Sequence, residues 1–444
     1  MTRPNGQARS LNYTISINIL NFGPENQPRA GLLFKIKNGT MSGMNRRVFI
    51  QAMGTGSLAI LSPAQAVQEP AVAPRGFADP RIEVNLTRLR WNLAQLKDRV
   101  KVPIMAVVKA NAYGHGLVET SRALEKSGAH SLMVGKLQEA VALRQAGIRC
   151  PILNFGPFER RDGAEIVRLK ISQAVFTAEA AYLEEVAAAA GQAAAVHVDI
   201  DTGMGRTGAA PQEALPLIQK ISSFPHVDIE GVCTTLTEDP EFDKDQLRQF
   251  LEVCASAKAK GISVGLRHAA SSAAVFYPAE YYLDMIRPGI TLYGYYPNAR
   301  TKAADSLGLK PVLKLTARVS FIKELAPGET YSYLRAYKVE GRTRVATVGI
   351  GYSDGYPFLL GGKVQALIRG KKFPVLEAIT SNHTMVGLGD DREVRVGDEV
   401  TLIDPDRSAG LAADDLAGLT GIGDYKLLIG LNPLLPREYQ DSPR

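Results

Sequence analysis

The sequence predicts an α/β fold, a (β/α)8 barrel followed by an all-β domain at the C-terminus. Three observations predict this arrangement. From about residue 79, short apolar runs alternate with longer amphipathic segments. Eight apolar runs precede residue 308, the number that an eight-stranded barrel requires. After residue 308 the long helical patterns end, and alternating segments follow, separated by turn-forming stretches such as "APGET" and "EGRT".

Composition narrows the functional classes. The chain has 444 residues, of which 45% are hydrophobic and 22% charged, and its net charge is +7. This composition is ordinary for a globular protein, and the length allows two domains. Because lysines and arginines are spread among acidic residues instead of clustering, we expect no nucleic-acid partner. Three scattered cysteines are too few for a disulfide framework or a zinc site, so we expect no metal centre.

The N-terminal region carries the pattern of an export signal. "NRRVFIQ" (45–51) pairs two arginines ahead of a short apolar stretch, and "PAQA" ends with the small residues that a signal peptidase accepts. We expect an upstream extension (1–43), a twin-arginine-like signal peptide (44–66) and a linker (67–78). The implied location is the periplasm, with no membrane contact after the signal is removed. The alternative is a disordered extension on a cytoplasmic protein.

The barrel prediction assigns residues 79–307 to strands and helices in alternation. Segments such as "LQEAVALRQAGI" carry helical spacing and end at a glycine. An open doubly wound sheet is the alternative, although no G-x-G-x-x-G turn opens the first helix. The eight strand candidates are 102–109, 131–136, 151–156, 173–177, 194–201, 229–236, 262–271 and 283–290.

The second predicted domain, 308–444, reads as strands joined by hairpin turns. "LKLTARVSFIKEL" and "TRVATVGIGYS" alternate between apolar and polar residues, as strands with one buried face do. The turn "VGDEV" directly before a strand favours a small β-barrel.

Lys109 ends the first apolar run of the barrel, in "VVKANAYGHG" (107–116). Functional groups of such barrels lie at the C-terminal ends of the strands. Burial behind an apolar strand would lower the pKa of this lysine and free its amine as a nucleophile. A surface lysine is the alternative for an isolated strand-end residue.

Several motifs, in order, resemble the alanine racemase family of pyridoxal phosphate (PLP) enzymes. The resemblance covers nearly the whole chain from residue 79, and it implies a PLP-bearing barrel followed by a β domain. The implied activity is that of an isomerase that interconverts L- and D-amino acids, with free amino acids as substrates. The motifs are "VVKANAYGHG", "DTGMGRTG" (201–208), "MIRPGITLYG" (285–294), "YSYLRAY" (331–337), "GIGYSDGYP" (349–357) and "LPREY" (435–439).

The resemblance assigns roles to the central residues. Lys109 would bind the cofactor covalently and act as the base on one face of the substrate. Tyr333 would be the acid/base on the opposite face, supplied by the partner subunit, which implies a homodimer. Arg287 would face the pyridine nitrogen and leave it unprotonated. Arg206 would orient the substrate carboxylate and the cofactor's phenolic oxygen.

The remaining implied residues bind the cofactor phosphate or line the substrate pocket. Ser272 and the backbone amides of Gly289 and Ile290 would hold the phosphate, at the loops after strands seven and eight. Tyr113 and Tyr425 match the tyrosines beside the phosphate and in the pocket. Tyr352 matches a tyrosine at the substrate entrance, whereas His115 is expected to be a turn and packing residue.

Some positions depart from the family pattern. Asp199 stands where a carbamylated lysine is common, and it would either replace that negative charge or carry no function. Thr235 replaces a histidine that links the pyridine arginine to the catalytic tyrosine. Ser381 replaces a methionine of the substrate pocket and Asn382 an aspartate, while His383 is either a ligand contact or a loop residue. These changes favour an altered substrate range over lost catalysis.

Four candidate functions are compatible with the sequence, and they are not equally favoured. The enzyme would be an exported racemase of broad specificity or one specific for alanine. A decarboxylase on the same fold is disfavoured, because Arg287 and not a carboxylate would face the pyridine. A protein of another class would bind PLP or amino acids without catalysis.

Overall fold

The structure, a computed structural model, describes residues 79–441. The predicted extension (1–43), signal peptide (44–66) and linker (67–78) lie outside the described residues. In the part that is described, no helix is both long and apolar enough to cross a membrane.

Seven parallel strands form the first sheet, in the order of the chain. Each strand pairs with the next, as the alternation of apolar runs and helices predicts. The strands are β2 (Met105–Val107), β3 (Ser131–Val134), β4 (Ile152–Asn154), β5 (Ser172–Val175), β6 (Ala194–Asp199), β7 (Val227–Cys233) and β8 (Leu266–His268).

The eighth predicted run, 283–290, closes the barrel without forming a regular strand. Ile286 bridges Ile104 in parallel, and the Met105 amide donates to the Ile286 carbonyl at 2.9 Å. On the other side, the Arg287 amide donates to the Ala270 carbonyl beyond β8 at 2.8 Å. Pro288 has no N–H to contribute to a ladder, which is a physical reason for the short pairing. The predicted (β/α)8 barrel is confirmed, with this irregular eighth strand.

Helices alternate with the barrel strands and cover its outside, except for the short segment α2 (Lys109–Tyr113), which follows β2 at the rim of the barrel and has left-handed backbone. The first follows strand β1 (Arg81–Asn85) and buries Leu89, Leu93 and Leu96 at helical spacing, with the Asn85 side chain capping its first turn. The helices are α1 (Leu86–Val100), α2 (Lys109–Tyr113), α3 (Leu117–Lys126), α4 (Leu137–Gln145), α5 (Gly163–Arg168), α6 (Ala180–Ala190), α7 (Pro211–Ser222), α8 (Pro240–Ala259) and α9 (Ala299–Ala304).

The second sheet forms the C-terminal domain. Six of its strands close into a ring, because β12 pairs with β15 on one side and with β9 on the other. This closed ring confirms the predicted all-β domain with a small barrel. The strands are β9 (Leu313–Leu325), β10 (Thr330–Tyr331), β11 (Tyr337–Lys338), β12 (Thr343–Val348), β13 (Gln365–Ile368), β14 (Lys371–Ile379), β15 (Thr384–Gly389), β16 (Glu399–Ile403) and β17 (Arg437–Gln440), of which β10 and β11 form a separate hairpin.

Two features of this domain differ from the sequence interpretation. Strand β1 pairs with β9 and β17 and so belongs to the second sheet, although residues 79–307 were assigned to the barrel. Long-range strand pairing of this kind leaves no local pattern. Two short helices, α10 (Ala413–Thr420) and α11 (Asp424–Gly430), also interrupt the domain.

Candidate active site

Lys109 lies where the sequence predicts, directly after the buried strand β2 and Val108. Burial lowers the pKa of its amine, and the nearby charge of Arg206 lowers it further, while Glu139 opposes the shift. A lysine with a lowered pKa is more readily deprotonated near neutral pH, so its amine is better suited to act as a nucleophile or base.

The turn after Lys109 has an unusual backbone. Ala110 to Tyr113 all have φ between 52° and 56°, in the left-handed region that side chains normally avoid. Asn111 secures the turn, because its Oδ1 accepts from the Leu117 amide at 2.8 Å and its own amide donates to Glu139 at 3.0 Å. Strained backbone held in this way is typical of functional sites. Glu139, which also accepts from the Gly135 amide, supports the lysine turn and was missed by the sequence analysis.

The predicted phosphate residues meet at one corner of this site. Ser272 Oγ accepts from the Gly289 amide at 2.9 Å and lies 3.1 Å from Thr291 Oγ1. Gly289 faces the Tyr113 hydroxyl so closely that a Cβ added there would lie 2.4 Å from it. The 3-10 helix Ile290–Tyr293 begins at this point, and the Ile290 amide donates to no described residue. This unpaired Ile290 amide, beside a hydroxyl and a cradle that only glycine leaves open, fits a phosphate group, whereas the Gly289 amide already donates to Ser272.

Tyr425 reaches the same corner from the second domain. Its ring packs against Tyr113, with centroids 5.7 Å apart, and burial is the main cause that raises the pKa of both hydroxyls. Both phenols are therefore neutral hydrogen-bond donors at physiological pH. Tyr425 lies on α11, a helix that the sequence analysis did not predict. His115 is buried and stacks on Tyr293, with ring centroids 4.5 Å apart.

Arg287 is buried and held by uncharged groups. Its Nη1 donates to His268 Nδ1 and to the His268 carbonyl, each at 2.6 Å, and its Nη2 donates to the Thr234 carbonyl at 2.7 Å. Its Nε donates to none of the described residues, so it is the remaining donor for a ligand. Burial lowers the pKa of His268, and the charge of Arg287 adds to the effect, which keeps the imidazole neutral. The sequence analysis identified Arg287 but not His268 as its partner.

Arg206 and Asp199 lie close to these residues. Arg206 is exposed in the loop after β6, where Asp201 accepts from the amides of Gly203 and Gly205. Asp199 is buried and accepts from Thr207 Oγ1 at 3.0 Å. Burial raises its pKa, although the charges of Arg287 and Arg206 act against the rise. No hydrogen bond joins Asp199 to either arginine within residues 79–441. Asp199 therefore acts on the two arginines only through its charge.

The β domain carries the remaining predicted residues. Two loops hold Tyr352 and Ser381 together, since the Tyr352 amide donates to the Thr380 carbonyl at 3.0 Å and Ser353 Oγ donates to the Ser381 carbonyl at 2.7 Å. Asn382 Nδ2 donates to Ser353 Oγ at 2.9 Å, which further fixes the loop.

Tyr333 follows β10 in the hairpin of the β domain and is 77% exposed. Its hydroxyl forms no hydrogen bond with any of the described residues of its own chain, Lys109 included. One subunit therefore brings together Lys109, the phosphate corner and the two arginines, and it presents Tyr333 to solvent.

Comparison with known proteins places this geometry in a family. The model of the alanine racemase N-terminal domain matches residues 84–297, and that of the C-terminal domain matches residues 312–439. The chain belongs to the alanine racemase family. Alanine racemase 1 of Clostridium acetobutylicum is 36% identical over 368 residues, which cover 80% of this chain and 94% of the relative. The alanine racemase of Clostridium perfringens is 37% identical over 367 residues, 81% and 95% of the two chains.

Solved structures of alanine racemases share the fold of this chain. The alanine racemase of Clostridium difficile superposes with a TM-score of 0.77 at 32% identity, covering 82% of this chain and 96% of that one. The alanine racemase of Streptomyces lavendulae, a D-cycloserine producer, has a TM-score of 0.78 at 30% identity, with 82% and 98% coverage. Family membership confirms the predicted fold, the predicted class of isomerase and the predicted cofactor, PLP.

Proposed function

We propose that this protein racemises amino acids with Lys109 and Tyr333 as two acid/base groups on opposite faces of the substrate. The observation that best supports this function is the buried amine of Lys109 at the end of its strand, beside a group of residues that fits a phosphate. When bound there, PLP supplies an electron-withdrawing ring that acidifies the α-hydrogen of the attached amino acid. Racemisation then needs one group to remove that proton and another to return it from the other side.

The two arginines would tune and orient this reaction. Arg206, exposed above the same strand ends, would bind the substrate carboxylate, for which a planar guanidinium is suited. Arg287 would present its Nε to the pyridine nitrogen. Since an arginine does not give up its proton, it would keep that nitrogen unprotonated and limit side reactions such as transamination.

Tyr333 would act in the site of a partner subunit, so that the working unit is a homodimer. Its side chain is 77% exposed and the neighbouring Leu334 is 99% exposed, with Tyr352 and Phe358 also exposed on the β domain. Exposed large apolar side chains on one domain favour a protein interface. Docking this domain over the barrel of a second copy would bring Tyr333, Tyr352 and Ser381 to the partner's Lys109 in a two-fold arrangement.

The substrate range has two candidates. A broad range is supported by Ser381, whose side chain is shorter than the methionine common in the family and would leave room for larger amino acids. Alanine specificity is supported by the relatives, which are alanine racemases. We favour the broad range, because the short side chain of Ser381 lies on a loop that is hydrogen-bonded to the loop of Tyr352.

Export is proposed from the sequence alone. The paired arginines before an apolar stretch and the cleavage pattern after Ala66 support a periplasmic enzyme, with the cytoplasm as the alternative. N-terminal sequencing of protein from a periplasmic fraction is expected to begin after Ala66. A mature protein that begins before Met41 would contradict export by this signal.

A purified-protein assay tests the activity. The protein is incubated with each L-amino acid, and the products are resolved by chirality. Lys109→Ala is expected to abolish turnover, because the cofactor anchor and one base are lost together. Lys136→Ala is a matched control, since Lys136 is exposed just beyond the end of the neighbouring strand β3. Turnover by Lys109→Ala would refute the assignment, and conversion of alanine alone would refute the broad range.

A further inference from the structure

A line of polar side chains leads from Arg287 through the barrel to its surface. Arg287 Nη1 donates to His268 Nδ1 at 2.6 Å, and His268 Nε2 lies 2.8 Å from His197 Nδ1. His197 Nε2 lies 3.7 Å from Glu230 Oε2, which accepts from Ser172 Oγ at 2.6 Å. His268 and His197 are buried, whereas the Glu230 side chain is 47% exposed. The line therefore joins the interior of the site to an anionic group at the surface.

The chemistry of these groups allows one assignment of the protons. Arginine can only donate, so His268 Nδ1 must accept, and its proton must lie on Nε2. That N–H requires His197 Nδ1 to accept, which places the His197 proton on Nε2. A donor at Nε2 needs an acceptor beyond it, and the Glu230 carboxylate lies in that position at 3.7 Å, longer than a direct hydrogen bond but within reach of a charge contact. Every donor along the line then points away from Arg287 and toward the carboxylate.

We propose that His197 and Glu230 are positioning residues, which fix the neutral tautomer of His268 and thereby hold the Arg287 guanidinium in place. The inference rests on the proposed function, in which Arg287 faces the pyridine nitrogen. If His197 took the other tautomer, its Nδ1–H would oppose the Nε2–H of His268, and the contact would break. Arg287 would then lose one of the two partners of its Nη1 and keep only the His268 carbonyl.

The packing around His197 supports a fixed ring. Gly231 lies beside it on β7, and a Cβ added there would lie 2.5 Å from His197 Nδ1. The imidazole thus occupies space that any other residue at 231 would fill. The contact with His197 is the largest cause of the lowered pKa of Glu230, so the carboxylate is ionised and available as the terminal acceptor.

Paired variants separate positioning from folding. Glu230→Ala removes the acceptor, whereas Glu230→Gln keeps an amide oxygen in its place. Hydrogen-bond partners that orient metal-ligating histidines are worth about 10- to 100-fold in affinity or activity. By the same orienting effect, Glu230→Ala is expected to lower kcat about tenfold with KM little changed. Glu230→Gln is expected to restore most of that loss. Glu184→Gln is the control, because Glu184 makes a similar contact, 2.8 Å to His226, with no link to Arg287.

The tautomers provide a readout that does not depend on turnover. Nitrogen-15 NMR of histidine-labelled holoenzyme is expected to show His268 neutral at neutral pH, and the protons of both His268 and His197 on Nε2. Glu230→Ala is expected to add the second tautomer at His197. A proton on Nδ1 of either ring in the wild type would overturn the inference, as would unchanged kcat and tautomers in Glu230→Ala. An equal loss of kcat in Glu184→Gln would also overturn it. Failure of the wild type to racemise any amino acid would refute the proposed function instead, and the tautomers would still decide the hydrogen-bond assignment.

Discussion

Replacing Gly289 by alanine tests the proposed phosphate corner. The new Cβ would lie 2.4 Å from the Tyr113 hydroxyl and 3.0 Å from the ring carbon that bears it, whereas ordinary contacts begin near 3.4 Å. The hydroxyl must therefore retreat by about 1 Å, and overpacking of this kind costs about 1–3 kcal/mol. Because the displaced hydroxyl would also leave the phosphate, cofactor affinity should fall about 10- to 100-fold.

The assay is a titration of cofactor-free protein with PLP, followed by absorbance, together with denaturant unfolding of the same samples. Tyr113→Phe removes the nearer clashing atom and leaves the ring carbon at 3.0 Å. Tyr113→Phe should therefore lower PLP affinity less in the Gly289→Ala variant than in the wild type. The loss of PLP affinity in the double variant should be smaller than the sum of the losses in the two single variants. Wild-type cofactor affinity in Gly289→Ala would refute the reasoning, and so would strictly additive losses.

Two further predictions concern Asp199 and the β domain. Burial raises the pKa of Asp199, so its ionisation in the folded protein lowers stability as the pH rises through that pKa. Asp199→Asn is therefore expected to stabilise the protein at pH 8 and progressively less toward pH 4. Thermal unfolding across this range measures the effect, and greater destabilisation at pH 8 than at pH 5 would contradict it. Leu334, 99% exposed, is expected to be buried between subunits, so Leu334→Asp should shift the protein toward monomers and lower turnover. Sedimentation at several concentrations measures the shift, and an unchanged dimer with full activity would place the interface elsewhere.

Local patterns were sufficient to place the residues at the ends of strands. Val107 and Val108 are buried as the apolar run predicts, and this fixes Lys109 at the functional rim. The same pattern could not identify the neighbours, because His268 reaches Arg287 from another strand and Glu139 reaches the Lys109 turn from another helix. The left-handed turn after Lys109 was not predicted, because Ala110, Ala112 and Tyr113 adopt a positive φ that only asparagine and glycine readily tolerate.

In the second domain, too, local sequence patterns predicted the strands but not the contacts between distant segments. Alternating polarity indicated its strands, yet the pairing of β1 with β9 and β17 joins segments more than 200 residues apart. The short helix α11 carries Tyr425 to Tyr113, and only the tertiary structure reveals that contact. Tyr333 was identified by its motif, and its exposure is what the proposed transfer to a partner subunit requires.

The most direct test of the two-base proposal mixes two variants that each lack one of the proposed bases. Lys109→Ala and Tyr333→Phe subunits are dissociated, combined in equal amounts and reassociated, and racemisation is measured against each variant alone. If Tyr333 serves the partner's site, each hybrid dimer holds one site with both residues intact, and random mixing should restore about a quarter of wild-type turnover. Turnover no higher than the average of the two variants, with hybrid dimers verified, would show that Lys109 and Tyr333 do not form a site across the interface.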